Sequence, residues 1–142
     1  MTSAAEITGN ADRAAALYEL WRRNGSAVWL TLEGGSMLPE LPPGSRIRLD
    51  CSRREFTIGQ VVGALHGSRL VIHRLIRIEI RGELGPRYVC QGDANPREDP
   101  PLAPGQLVGV VQEWRPPSPL LRLRRALRRR MGSGAPGPKV GR

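Results

Sequence analysis

The run from Arg69 to Ile80 contains neither glycine nor proline and carries Val71, Ile72, Ile76, Ile78 and Ile80. β-Branched residues at this density read as a long strand. At period two, Leu70, Ile72, Ile76, Ile78 and Ile80 share one face, and Val71, His73 and Leu75 share the other. A second apolar run, Gln60–Leu65, precedes it across the short turn His66-Gly67-Ser68, so the two predict a β-hairpin. Further strands are expected at Val28–Glu33, Ser45–Asp50, Tyr88–Gln91 and Gln106–Trp114, each bounded by glycine or proline. One amphipathic helix is expected at Ala11–Arg23, where Ala14, Leu17, Tyr18 and Trp21 recur at spacings of three and four and Asn24-Gly25 ends the pattern. The chain therefore divides into a helical segment at 1–26, a mainly β domain at 27–114 forming a barrel or folded sheet, and a basic segment at 115–142.

At 142 residues, 39% of them hydrophobic, one domain with one modest core is expected. No apolar run reaches the roughly 18–20 residues of a membrane span. Residues Met1–Asn10 are polar, with Glu6 and no basic cluster, unlike a secretory signal, so a cytoplasmic protein is expected. Cys51, Cys90, His66 and His73 are the only soft ligand types, and none stands at zinc spacing. Free buried thiols, no metal and no cofactor follow.

The formal charge is +9, but no acid follows Glu113, whereas nine of the 22 basic residues do. The remaining 13 bases match the 13 acids, so residues 1–114 are neutral and the tail carries the excess. A neutral body with one helix argues against a nucleic-acid reader. In the tail, Leu120, Leu123, Leu127 and Met131 form an apolar stripe among six arginines, and Gly132–Arg142 is rich in glycine and proline. The stripe at 118–131 suits the surface of an anionic membrane, or equally packing on the body.

Between the first two strands lies Gly34-Gly35-Ser36-Met37-Leu38-Pro39. Glycines before a small hydroxyl put Ser36 on a tight turn with backbone N–H groups beside it, as a nucleophile and its oxyanion donors require; a plain Gly-Ser turn is the bland alternative. A serine nucleophile needs a base. The only lysine is Lys139, in the tail, so the body cannot supply a serine–lysine pair. His66, in a hairpin turn, reads as a solvated turn residue. His73, mid-strand among apolar neighbours, reads either as a packed histidine or as a base that needs an acid to fix its tautomer. The loop 92–99 offers Asp93 and Asp99.

The order Gly35-Ser36-Met37-x-Pro39, then Val71-Ile72-His73-Arg74, then Gly92-Asp93-x-Asn95 with Asp99, resembles the S24/S26 serine peptidase clan of type I signal peptidases and LexA-like self-cleaving repressors. Leu107–Val111 is similar to the closing strand after that loop, and the resemblance covers residues 28–114. It implies a folded β-sheet barrel with an N-terminal helix and, here, a basic C-terminal helix. It also implies a serine endopeptidase acting on a peptide or precursor protein. Bacterial signal peptidases and the repressors pair serine with lysine; endoplasmic-reticulum and archaeal-type signal peptidases place histidine there, as His73-Arg74 does here. By that resemblance Ser36 is the nucleophile, His73 the general base, Asp99 the residue orienting it, and Asp93 a support of the loop or site. The oxyanion would be held by the backbone N–H groups of Ser36 and its neighbour, because Gly34 has no hydroxyl to add. With no spanning run, the chain looks like the short soluble bacterial members. Two rival readings use the same residues: a peptide-binding module of this fold without efficient chemistry, and a regulator acting through its basic tail.

Overall fold

A computed structural model describes residues 11–118 together with residues 127, 128 and 130. Helix α1 (Ala11–Asn24) is followed by strands β1 (Ala27–Thr31), β2 (Arg46–Asp50), β3 (Val61–His66), β4 (Arg69–Ile80), β5 (Pro86–Gln91) and β6 (Leu107–Arg115). Short 3₁₀ turns at Gly82–Leu84 and Pro104–Gln106 lead into β5 and β6. The strands form one sheet in the order β1-β2-β6-β3-β4-β5, each neighbouring pair antiparallel. The mainly β architecture expected of the sequence is present, but the sheet is not closed into a barrel. β1 and β5 are its edges, and β1 pairs only with β2. Of the helix expected at 118–131, residues 127, 128 and 130 are helical, and the rest lies outside the described residues. Among the described residues no helix is long and apolar enough to cross a membrane.

Two apolar clusters hold the sheet. In the first, Ala14 and Tyr18 of α1 pack with Leu32, Met37, Leu41, Ile47, Leu49, Leu70, Ile72 and Val108. The helix is thus fixed by the stripe that predicted it, and Trp21 extends the stripe with its ring 5.4 Å from that of Tyr18. The second cluster joins Val62, Ala64, Leu75, Cys90, Leu102, Leu107 and Val110.

The long strand departs from its period-two pattern at one point. Leu75 pairs with Cys90, but the next partner of β5 is Arg77, opposite Val89, so Ile76 is an extra residue. Such a bulge reverses the facing of every residue beyond it. Ile78 therefore packs with Leu75 and Cys90 rather than with Leu70 and Ile72, and Ile80 is 75% exposed. Simple alternation assigned Ile78 and Ile80 to the wrong face because it allows no inserted residue.

Three strands separate β1 from β4 in the sheet. Even so, Leu30–Ser36 and Ser68–His73 line one cleft of about 940 Å³, together with Asn95, Asp99 and Pro100. The open sheet must therefore curl until its first edge faces β4. This curl makes the site.

Candidate active site

Ser36 stands where the chain leaves β1. Gly34 has φ of +73°, a left-handed conformation that glycine alone adopts without strain, and the chain turns there. Met37 and Leu41, both fully buried in the first cluster, anchor the turn that follows, and the Leu38–Pro39 peptide is cis. Ser36 is left half-buried in the cleft wall. Its carbonyl accepts the Ala94 N–H at 2.8 Å, which ties the 92–99 loop to the serine turn. Gly92 permits this approach, since a Cβ there would stand 2.8 Å from the Ser36 carbonyl oxygen. Among the described residues, the N–H groups of Ser36 and Met37 and the Ser36 hydroxyl have no hydrogen-bond partner.

His73 lies on β4 opposite Val62 of β3 and is 7% exposed. Its Nδ1 donates a hydrogen bond to Oδ2 of Asp99. An ionised carboxylate only accepts, so this contact sets the tautomer and leaves Nε2 as the acceptor. Asp99 is placed by its own backbone, whose N–H donates to the Cys90 carbonyl at 2.8 Å. Ser36, His73 and Asp99 line the same cleft, though no hydrogen bond joins the serine to the histidine.

Asp93 is turned elsewhere. The Arg74 guanidinium donates to both of its oxygens, at 2.9 and 2.8 Å, and also to Glu40 at 3.0 Å and the Gly59 carbonyl at 2.7 Å. Arg74 holds the Asp93 carboxyl below its usual range, and the pairing raises the guanidinium in turn. Glu98, nearer the loop's other end, pairs with Arg77 at 2.5 Å. One loop thus presents Asp99 to the histidine and fastens itself to β4 through Asp93 and Glu98.

His66 is not the solvated turn residue expected. It ends β3, lines the cleft, and places a buried Nε2 without a hydrogen-bond partner 4.0 Å from Oδ2 of Asp99. Burial holds its imidazole below the ordinary range, with Asp99 opposing that shift and His73 and Arg69 adding to it. Hairpin parity could have revealed the placement. Pairing across the two-residue turn Gly67-Ser68 sets His66 opposite Arg69, on the face that carries His73. Asn95 of the Gly92-Asp93-x-Asn95 motif is another wall residue. The cysteines are free and buried. Burial, then the Asp50 charge, pushes the Cys51 thiol up to about 11; burial, then the Asp99 charge, pushes Cys90 up to about 12. Neither is a thiolate nucleophile near neutral pH.

A comparison with curated proteins gives no significant match. A family model described as Peptidase S24-like matches residues 2–87, well over half the chain. The match takes in the serine turn and His73 and stops short of the loop that carries Asp99. With a serine on a glycine turn and a histidine lining one cleft of an antiparallel sheet, and with this match over most of its length, the chain belongs to the S24-like peptidase family.

Proposed function

We propose that the protein is a serine endopeptidase that cleaves a peptide or precursor protein through an acyl-enzyme on Ser36. One observation carries this reading: His73 is fixed by Asp99 through Nδ1 in the cleft that Ser36 lines, within a body that has no lysine. Nε2 of His73 takes the Ser36 hydroxyl proton as Oγ bonds to the scissile carbonyl carbon, whose oxygen becomes an oxyanion. The N–H groups of Ser36 and Met37, beside the nucleophile and unengaged among the described residues, would serve as donors for that charge. The imidazolium then protonates the leaving amine as the C–N bond breaks, and a water activated by the same nitrogen releases the acid product and restores the serine. The open edge of β1, with Leu30 and Leu32 in the cleft wall, suits a substrate added as a further strand. Asp93 supports the loop through Arg74 rather than the base itself.

A second reading is a peptide-binding module without efficient chemistry. It is favoured by the absence of a Ser36–His73 hydrogen bond, although such bonds often tighten only around substrate. A fluorophosphonate probe separates the two. The full chain should be labelled at Ser36, Ser36→Ala should not be, and both Ser36→Ala and His73→Ala should lose peptide cleavage by roughly 10⁴-fold or more with an unchanged circular dichroism spectrum. Peptide binding with no labelling and no cleavage would establish the second reading.

A further inference from the structure

We propose that His66 is a positioning residue of this site, its Nε2–H serving as the second donor that steadies Asp99 behind His73, a role that rests on Asp99 orienting the base. Among the described residues the Asp99 carboxylate accepts one side-chain hydrogen bond, from His73. His66 Nε2 lies 4.0 Å from the same oxygen, is buried, and has no other partner. A buried polar nitrogen left unpaired costs free energy, and so does a mostly buried carboxylate with lone pairs unused. A movement of about 1 Å would bring the pair within hydrogen-bond distance and satisfy both.

The hairpin dictates this encounter. Directly opposite residues share a face, so the pairs His66–Arg69, Ala64–Val71 and Val62–His73 put both histidines on one side of β3 and β4. The 92–99 loop, fastened to β4, then delivers Asp99 to both rings. Asp99, His73 and Arg69 are the charged or titratable groups acting on His66, and of these only Asp99 is an acceptor for its proton. Because burial keeps His66 neutral near neutral pH, the ring carries one proton. With that proton on Nε2 it attracts the carboxylate; with a lone pair there it would repel it.

The chain has only two histidines, so imidazole ¹⁵N–¹H NMR resolves each ring in the intact protein. In the wild type at neutral pH, His66 should give the nitrogen shifts of the Nε2–H tautomer. In His66→Leu the Nδ1–H proton signal of His73 should shift and exchange with water several-fold faster, because Asp99 loses the second donor that steadies it. In His66→Gln, whose amide offers an N–H from a similar position, that His73 signal should keep its wild-type position and exchange rate. An Nδ1–H tautomer for His66, an unchanged His73 signal in the leucine variant, or equal changes in both variants would overturn the role. The tautomer is read in the wild type, so the test survives a variant that fails to fold. It also needs no substrate: absent probe labelling refutes the peptidase, whereas these spectra decide His66 alone.

Discussion

Asp93 and Asp99 belong to one loop, yet their carboxylates serve different neighbours: a guanidinium for the first, an imidazole for the second. Replacing Asp99 by Asn keeps the shape but allows the other tautomer of His73, so kcat should fall on the order of 10³–10⁴-fold. Asp93→Asn leaves the base oriented and should cost about tenfold or less, through loosening of the loop. Steady-state kinetics on the two variants should show that order; the reverse order would mean the orienting acid is Asp93. His66 has a consequence for stability as well. Burial holds its folded-state pKa below the ordinary 6.5, so on acidification the unfolded chain takes up this proton first. The associated stability is fully present above about pH 6.5 and is lost as pH falls through the depressed folded value. Thermal melts between pH 7 and 5 should show Tm falling with acidification, and His66→Gln should flatten that slope. Equal slopes in the two proteins would refute the burial argument.

Among the elements, the 92–99 loop has the most demanding placement. It is pinned to the serine turn by Ala94, to β4 by Asp93 and Glu98, and to its own stem by Gln91, whose amide donates to the Asn95 carbonyl at 2.7 Å. Gly92 is where this packing has no room: an added Cβ would lie 2.7 Å from Asn95 Nδ2 as well as against the Ser36 carbonyl. Gly92→Ala should therefore displace the loop, and Asp99 with it, lowering kcat by roughly 10–100-fold while the core keeps the protein folded. Activity measured beside a denaturant melt checks this, and near-normal turnover would show that the loop yields without disturbing the acid. The bulge at Ile76, three residues past His73, turns Ile78 into the second cluster.

For the whole molecule, the balance of charge matters more than its total. The body to residue 114 is neutral, and the excess bases lie in the segment that follows. Were the helix expected of the sequence at 118–131 to form, its six arginines would contribute on the order of 1 kcal/mol each near an anionic surface. The full chain should sediment with phosphatidylserine vesicles at low salt and much less at high salt, and a chain truncated after Ser118 should stay in the supernatant. Ser118 is the proper limit because β6 continues to Arg115 and Pro117 is buried. Equal sedimentation of the two chains would leave the segment a packing or protein-docking role.

Most elements were legible in the chain because their signals are local. Periodicity marks α1 and the long strand, glycine and proline mark the turns, and the missing body lysine leaves histidine as the candidate base of the proposed site. Ser36 could be singled out for the same reason: a glycine turn before a small hydroxyl is a property of adjacent residues. What tertiary structure decided is whatever depends on register and closure. The bulge at Ile76, the open sheet in place of a closed barrel, the division of labour between Asp93 and Asp99, and the burial of His66 beside Asp99 each depend on how distant segments pair. No local pattern carries that information, because a one-residue change in register reverses a side chain's face without altering the composition of the strand.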